Sequence, residues 1–127
     1  MEKLGLIFLG GGLGAVARYL VGARTLVMFG SAWPYGTFTV NAVGGLLMGL
    51  LIGYLAQRGG ADQERWRLLL GVGVLGGFTT FSAFSLETAL MIERRAYGTA
   101  AGYIGLSVVV SVAAVFAGLL LTRRMLA

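Results

Sequence analysis

The sequence predicts an all-α membrane protein with four transmembrane helices, the third of them broken near Gly76–Thr80. Two observations lead to this prediction. The 127 residues are 57% hydrophobic and 12% charged, with a mean hydropathy of +0.86, whereas a soluble domain has about 25% charged residues. The charge-poor stretches are also long enough to cross a bilayer, which takes about 20 apolar residues per helix.

We expect a single domain, residues 1–127, whose four spans cover about residues 4–28, 35–57, 68–91 and 97–122. The first span reaches full length only if Arg18 lies inside it. The second begins just after Pro34, because proline is favoured at the first position of a helix. Short connections between the spans leave no room for another domain.

The charge distribution suggests how the chain sits in the membrane. Ten Lys and Arg residues against five Asp and Glu give a formal net charge of +5. They stand singly or in pairs at the ends of apolar runs, which favours contact with lipid headgroups over nucleic acid. Four spans place both termini on one face, with a count of six basic residues against three: Lys3, Arg58, Arg65, Arg67, Arg123 and Arg124, opposite Arg24, Arg94 and Arg95. This margin favours termini inside only modestly, so two orientations in one membrane are compatible with it.

The chain contains no His and no Cys. It therefore lacks the commonest general base, the usual catalytic thiol and the usual zinc ligands. We expect a protein that is not an enzyme and that works through hydroxyls, amides, aromatic rings, a few charges and the backbone.

Two polar side chains interrupt the first two spans. A charge inside a span usually faces protein or a water-filled cavity, so we interpret Arg18 as part of a cationic vestibule that attracts anions. A snorkelling arginine near the helix end is the alternative. Asn41 must find hydrogen-bond partners at membrane depth, and Thr37 lies one turn before it. An interhelical hydrogen bond would also explain Asn41.

The third span holds the most specific pattern, Gly-Gly-Phe-Thr-Thr-Phe-Ser-Ala-Phe-Ser at residues 76–85. Two glycines followed by two β-branched threonines make a poor continuous helix. A break would free backbone carbonyls, which is tolerated at membrane depth only where protein, water or an ion satisfies them. Past the break, Phe81 and Phe84 share a face. The hydroxyls of Thr80 and Ser82 stand beside them in the sequence, although such hydroxyls also bond to their own helix.

The fourth span carries one polar line, Tyr103, Ser107 and Ser111, which could border a narrow path or pack against a neighbour. Taken together, the polar groups inside the spans are almost all hydrogen-bond donors, and no carboxylate lies near the middle of any span. This pattern suits a small anion of high charge density.

Four helices of about 10 Å diameter pack without a central lumen, so one subunit does not readily enclose a pore. Glycine ridges, such as the one formed by Gly45, Gly49 and Gly53, permit close helix packing and suggest a partner subunit.

The chain resembles the small fluoride channels of the Fluc (CrcB) family. The resemblance rests on three segments: Gly-Gly-Leu-Gly-Ala-Val-Ala-Arg-Tyr at 11–19, Gly-Thr-Phe-Thr-Val-Asn at 36–41, and the segment at 76–85 given above. These lie on three of the four spans, and the length and the span number also agree.

The resemblance implies an antiparallel homodimer in the cell membrane that exports fluoride passively through two pathways along the subunit interface. It implies a central structural sodium ion, which is not transported and is held by the backbone carbonyls of Gly76 and Thr79. It also implies the residues of each pathway: Phe81 and Phe84 as pore phenylalanines, Asn41 as pore asparagine, Thr80, Ser82, Ser107 and Ser111 as a polar track, and Arg18 in the vestibule.

A second class of protein has a similar outline. The small four-helix multidrug transporters exchange protons for lipophilic cations and share this size and dimeric habit, but they need a carboxylate inside the first span. Here Glu2 lies outside that span.

Overall fold

The computed structural model describes residues 1–126 and contains four helices long and apolar enough to cross a membrane. Its helices are α1 (Glu2–Phe29), α2 (Tyr35–Arg58), α3 (63–78), α4 (Phe81–Glu93) and α5 (Tyr97–Leu126). Helices α3 and α4 together form the third span, and no strand occurs in residues 1–126. The prediction of an all-α, multi-pass membrane protein with a broken third helix is confirmed.

The two ends of the bundle carry different elements. The terminal face holds the beginnings of α1 and α3 together with the ends of α2 and α5. The opposite end, the Trp33 face, holds the α1–α2 connection and the α4–α5 turn. At that connection α1 stops at Gly30, whose φ of 81° is in the left-handed region that favours glycine. Proline then precedes the first residue of α2, in keeping with the sequence pattern.

The third span starts earlier than expected, with a short 3₁₀ turn at Gly60–Asp62 and a helix from Gln63. Charged residues that the sequence placed before the span are helical, and two of them pair with the start of α1. Arg65 Nε lies 2.6 Å from Glu2 Oε1, and Lys3 Nζ lies 3.1 Å from Glu64 Oε1. Farther along, the Arg67–Leu75 segment is a π-helix, a wide and uncommon helical form that is often found near functional sites.

The break in the third span lies at the two threonines of the predicted Gly76–Thr80 segment and not at its glycines. Gly76 and Gly77 are helical, and the helix ends at Phe78. The two threonines are the extended residues: Thr79 has φ −86° and ψ 158°, and Thr80 has φ −151° and ψ 124°. The helix is therefore interrupted at two β-branched residues, a residue type that adopts extended conformations readily.

Close backbone packing holds the spans together. Helix α1 packs on α3 through Gly10 and Gly14, and a Cβ added at Gly14 would lie 2.8 Å from the Phe78 backbone nitrogen. Helix α2 packs on α5 in the same manner, where a Cβ on Gly49 would lie 3.1 Å from the Gly118 Cα. The Gly45, Gly49 and Gly53 ridge thus contacts α5 of the same subunit, so it gives no support to a partner subunit.

Candidate functional site

The break between α3 and α4 is held open by Asn41 of α2. Its Oδ1 accepts a hydrogen bond of 2.8 Å from the Thr80 amide, and its Nδ2 donates one of 3.0 Å to the Thr80 carbonyl. One side-chain amide therefore satisfies both backbone groups of an extended residue, as a neighbouring β-strand would. Asn41 does form an interhelical hydrogen bond, and its partner is the backbone rather than Thr37.

This arrangement takes partners away from two carbonyls. In a continuous helix the Thr80 amide would donate to the carbonyl of Gly76, but here it donates to Asn41. Likewise, the Ala83 amide would donate to Thr79, but it donates to Thr80 Oγ1 at 3.2 Å, which caps α4. Gly76 and Thr79, the two residues expected to hold sodium, are thus among those whose carbonyls lose their helical donors.

Arg18 reaches the same break from α1. Its Nε donates a 3.1 Å hydrogen bond to the Gly77 carbonyl, so part of the guanidinium caps the end of α3. Arg18 also borders a cavity of about 380 Å³, together with Thr37, Thr80 and Ala83. It therefore lies against protein and a cavity.

A groove of about 420 Å³ runs along the subunit surface beside the break. It brings together seven of the residues singled out in the sequence: Asn41, Thr79, Thr80, Phe81, Phe84, Ser107 and Ser111. Gly76, Ser82 and Arg18 do not line it. The groove is open, since Phe81 is 78% exposed on the single subunit.

Hydrogen-bond donors face this groove without acceptors. The hydroxyl of Ser107 is buried and has no partner within residues 1–126. Asn41 Nδ2 carries a second hydrogen besides the one it gives to Thr80. Helix α4 begins at Phe81, so the positive end of its dipole lies at the same place.

The hydroxyls after the break divide into two groups. Thr80 Oγ1 and Ser82 Oγ lie 3.2 Å apart and form a hydrogen-bonded pair. Ser85 Oγ instead donates to the Phe81 carbonyl at 2.9 Å, which is the local bonding that serine commonly forms in helices.

Glu87 lies between two hydroxyl groups, an arrangement that the sequence pattern did not predict. Its carboxylate accepts a hydrogen bond of 2.9 Å from Thr37 Oγ1 and another of 2.9 Å from the Tyr103 hydroxyl. The Tyr103 hydroxyl therefore bonds to Glu87. It does not join Ser107 and Ser111 in the polar line that was expected along this helix. The sequence does contain an indication that Glu87 has partners, because it is the one acidic residue between Glu64 and Glu93 and stands in a mainly apolar stretch.

Comparison with known proteins places this geometry in a family. A protein named fluoride-specific ion channel FluC from Caulobacter sp. (strain K31) is 70% identical over 124 residues, which are 98% of this chain and 97% of that protein. Proteins of the same name from Phenylobacterium zucineum (strain HLK1) and Agrobacterium fabrum (strain C58) are 66% and 50% identical, over at least 98% of each chain. Residues 5–119 match the family described as CrcB-like protein, Camphor Resistance (CrcB). The chain belongs to this CrcB-like family.

Proposed function

We propose that this protein is a fluoride-specific ion channel that lets fluoride leave the cell passively and so limits its toxicity. The relatives reported above carry this name. The observation that supports it best is the Ser107 hydroxyl, buried without an acceptor in the groove beside the break. A buried donor that no protein group satisfies is costly to keep, unless a ligand accepts from it.

The donors of the groove suit fluoride in particular. Fluoride is small and holds its water tightly, so a path for it must offer close donors in place of water. Asn41, Ser107 and Ser111 supply such groups, with the hydrogen-bonded pair Thr80 and Ser82 beside them. Phe81 and Phe84, whose ring centroids lie 5.5 Å apart, offer ring edges that carry positive potential. The ion would pass these groups in single file and lose its water in steps.

A second copy of the chain, inserted in the opposite direction, completes the pathway. The groove is open on the single subunit, and the largest exposed ring beside it is Phe81. Contact with another subunit would cover that ring and exclude lipid from the donors. Two subunits related by a two-fold axis in the membrane plane have two equivalent grooves, and hence two pathways.

A structural sodium ion fits the backbone at the break. Within residues 1–126 no group of three or more His, Cys, Asp or Glu side chains could hold a metal ion, and the proposal for sodium therefore depends on backbone carbonyl oxygens. The carbonyls of Gly76 and Thr79 are suitable because Asn41 and the Thr80 hydroxyl have taken their helical donors. Gly76 is exposed on the single subunit, where a partner could contribute the same groups. When bound, sodium would supply positive charge that offsets the desolvation of the anion.

Fluoride flux from liposomes tests the proposal. Purified protein in vesicles loaded with potassium fluoride should release fluoride when a potassium ionophore is added, as measured by a fluoride electrode. Vesicles loaded with chloride should retain it, because chloride binds close donors less strongly and gains less from them. Comparable chloride release would contradict the claim of selectivity, and no fluoride release would contradict channel function.

A further inference from the structure

A file of four aromatic rings connects the Trp33 face with the groove. Trp33 meets Tyr103 at a centroid distance of 5.2 Å, Tyr103 meets Phe84 at 5.1 Å, and Phe84 meets Phe81 at 5.5 Å. Each of these centroid distances is within the range in which aromatic rings interact favourably. The ring that begins this file belongs to the α1–α2 connection and not to any helix.

Trp33 does not have the surroundings of a tryptophan that only anchors a helix at the membrane interface. An interfacial tryptophan keeps its ring among the lipid headgroups. Trp33 packs edge-on, at 82°, against Tyr103, which is 0% exposed. Trp66, the other tryptophan, is 50% exposed at the terminal face and has no aromatic neighbour within residues 1–126. The two tryptophans of the chain therefore serve different purposes.

The position of Tyr103 is fixed from three sides. Its hydroxyl donates to Glu87, one side of its ring contacts Phe84, and Trp33 closes the side toward the membrane surface. Together with Met91 and Ala100, Tyr103 forms the buried cluster against which Trp33 and Phe84 pack. Removal of the Trp33 ring would leave a gap beside Tyr103, and the Phe84 ring would lose the support that sets its orientation.

We propose that Trp33 is a positioning residue for fluoride permeation, which acts through Tyr103 on the orientation of the Phe84 ring. This inference rests on the proposed function. An anion gains from a phenyl ring only when the ring edge faces it, because the ring face carries negative potential. A Phe84 ring free to turn would offer its edge for part of the time, and each ion would pass more slowly.

Single-channel recording in planar bilayers separates positioning from folding. Current through one open channel does not depend on how much protein folds, since misfolded protein lowers the number of channels and not their current. Trp33→Ala removes ring contacts with Tyr35, Phe38 and Tyr103, of which the last leads to Phe84. The variant should reduce the single-channel fluoride current about two- to tenfold, the ratio that corresponds to the pair with Tyr103. Trp33→Phe keeps a ring against Tyr103 and should restore part of the current. Trp66→Ala is the matched control and should have the wild-type current, and a wild-type current in Trp33→Ala would overturn the proposal.

Tryptophan fluorescence gives a second measurement that needs no fluoride flux. In a Trp66→Phe background Trp33 is the only tryptophan, so its emission maximum reports its own surroundings. Adding Phe84→Leu should shift that maximum through Tyr103, whereas Phe116→Leu, at a ring 61% exposed elsewhere, should not. An emission maximum that is unchanged by Phe84→Leu would contradict the positioning role of Trp33 but not the proposed function. A wild-type chain that passes no fluoride would contradict the proposed function instead.

Discussion

Ser107 offers the sharpest test at the scale of single residues, because stability and flux should respond in opposite ways. The residue is 6% exposed, and its buried hydroxyl has no partner within residues 1–126. An unsatisfied buried donor costs about 1–3 kcal/mol. Ser107→Ala should therefore leave thermal stability in detergent unchanged or raise it. Fluoride flux should fall about ten- to hundredfold, since a hydrogen bond to an ion contributes about 1.5–3 kcal/mol.

Thr122 is the matched control on the same helix. The residue is similarly buried, at 8% exposure, but its single hydroxyl hydrogen is shared between the carbonyls of Gly118 and Leu119. Thr122→Val should lower stability by about 1 kcal/mol and leave flux unchanged. If Ser107→Ala instead destabilises the protein as Thr122→Val does, with normal flux, then the Ser107 hydroxyl has a structural partner and is not a fluoride ligand.

The sequence predicts which side chains need hydrogen-bond partners better than it predicts which residues those partners are. The need of Asn41 for partners follows from its amide at membrane depth, and the structure does provide partners. Their identity did not follow, because Thr37 is near Asn41 in sequence while Thr80 is 39 positions away. Glu87 shows the same limit, since its two hydroxyl donors come from two other helices. Side-chain pairs across helices depend on how the helices pack, which a local pattern does not contain.

At the scale of elements, the close contact between α1 and α3 should control the break. A Cβ on Gly14 would lie 2.8 Å from the Phe78 nitrogen, and neither backbone can move without shifting its helix. Gly14→Ala should therefore destabilise the protein by about 1–3 kcal/mol through overpacking. It should also weaken the Arg18 contact with Gly77 and reduce fluoride flux. Thermal unfolding and liposome efflux measure the two effects.

Gly12 provides a control for that substitution within the same helix. A Cβ added there would have nothing within 4 Å, so Gly12→Ala adds no contact inside the subunit. Alanine is about 1 kcal/mol more favourable than glycine in a helix interior, so this variant should be neutral or slightly stabilised. Equal destabilisation by both substitutions would mean that overpacking against α3 is not the cause.

The third span shows which part of an element the sequence can predict. Poor helix formers at residues 76–80 predicted the break correctly, and it falls at the threonines of that segment. Gly77 stays helical directly against α1, where an added Cβ would lie 3.1 Å from the Gly11 Cα. Its small size serves packing, and Asn41 stabilises the extended Thr80 from another helix. The helix also starts earlier than predicted, and two of its charged residues, Glu64 and Arg65, pair with α1.

Over the whole molecule, the orientation in the membrane depends on how Lys and Arg are shared between the two faces. Lys3 and Arg65 belong to the six basic residues that favoured the terminal face inside, and their partners are Glu64, Glu2 and Asp62. These pairs are exposed, so each contributes little to stability. They do not alter the count, because the positive-inside rule counts basic residues and not net charge. The six-to-three bias is modest, and an antiparallel dimer needs insertion in both directions against it.

Labelling of single cysteines in intact cells tests this orientation directly. The natural chain has no cysteine, so each introduced thiol is the only one. Ala61→Cys places it at the terminal face and Ser31→Cys at the Trp33 face, both at exposed positions. A membrane-impermeant maleimide should label comparable, incomplete fractions of both variants, because each end faces outward in one half of the subunits. Complete labelling of one variant and none of the other would mean a single orientation. That result would contradict the antiparallel dimer but not the proposal that the protein passes fluoride.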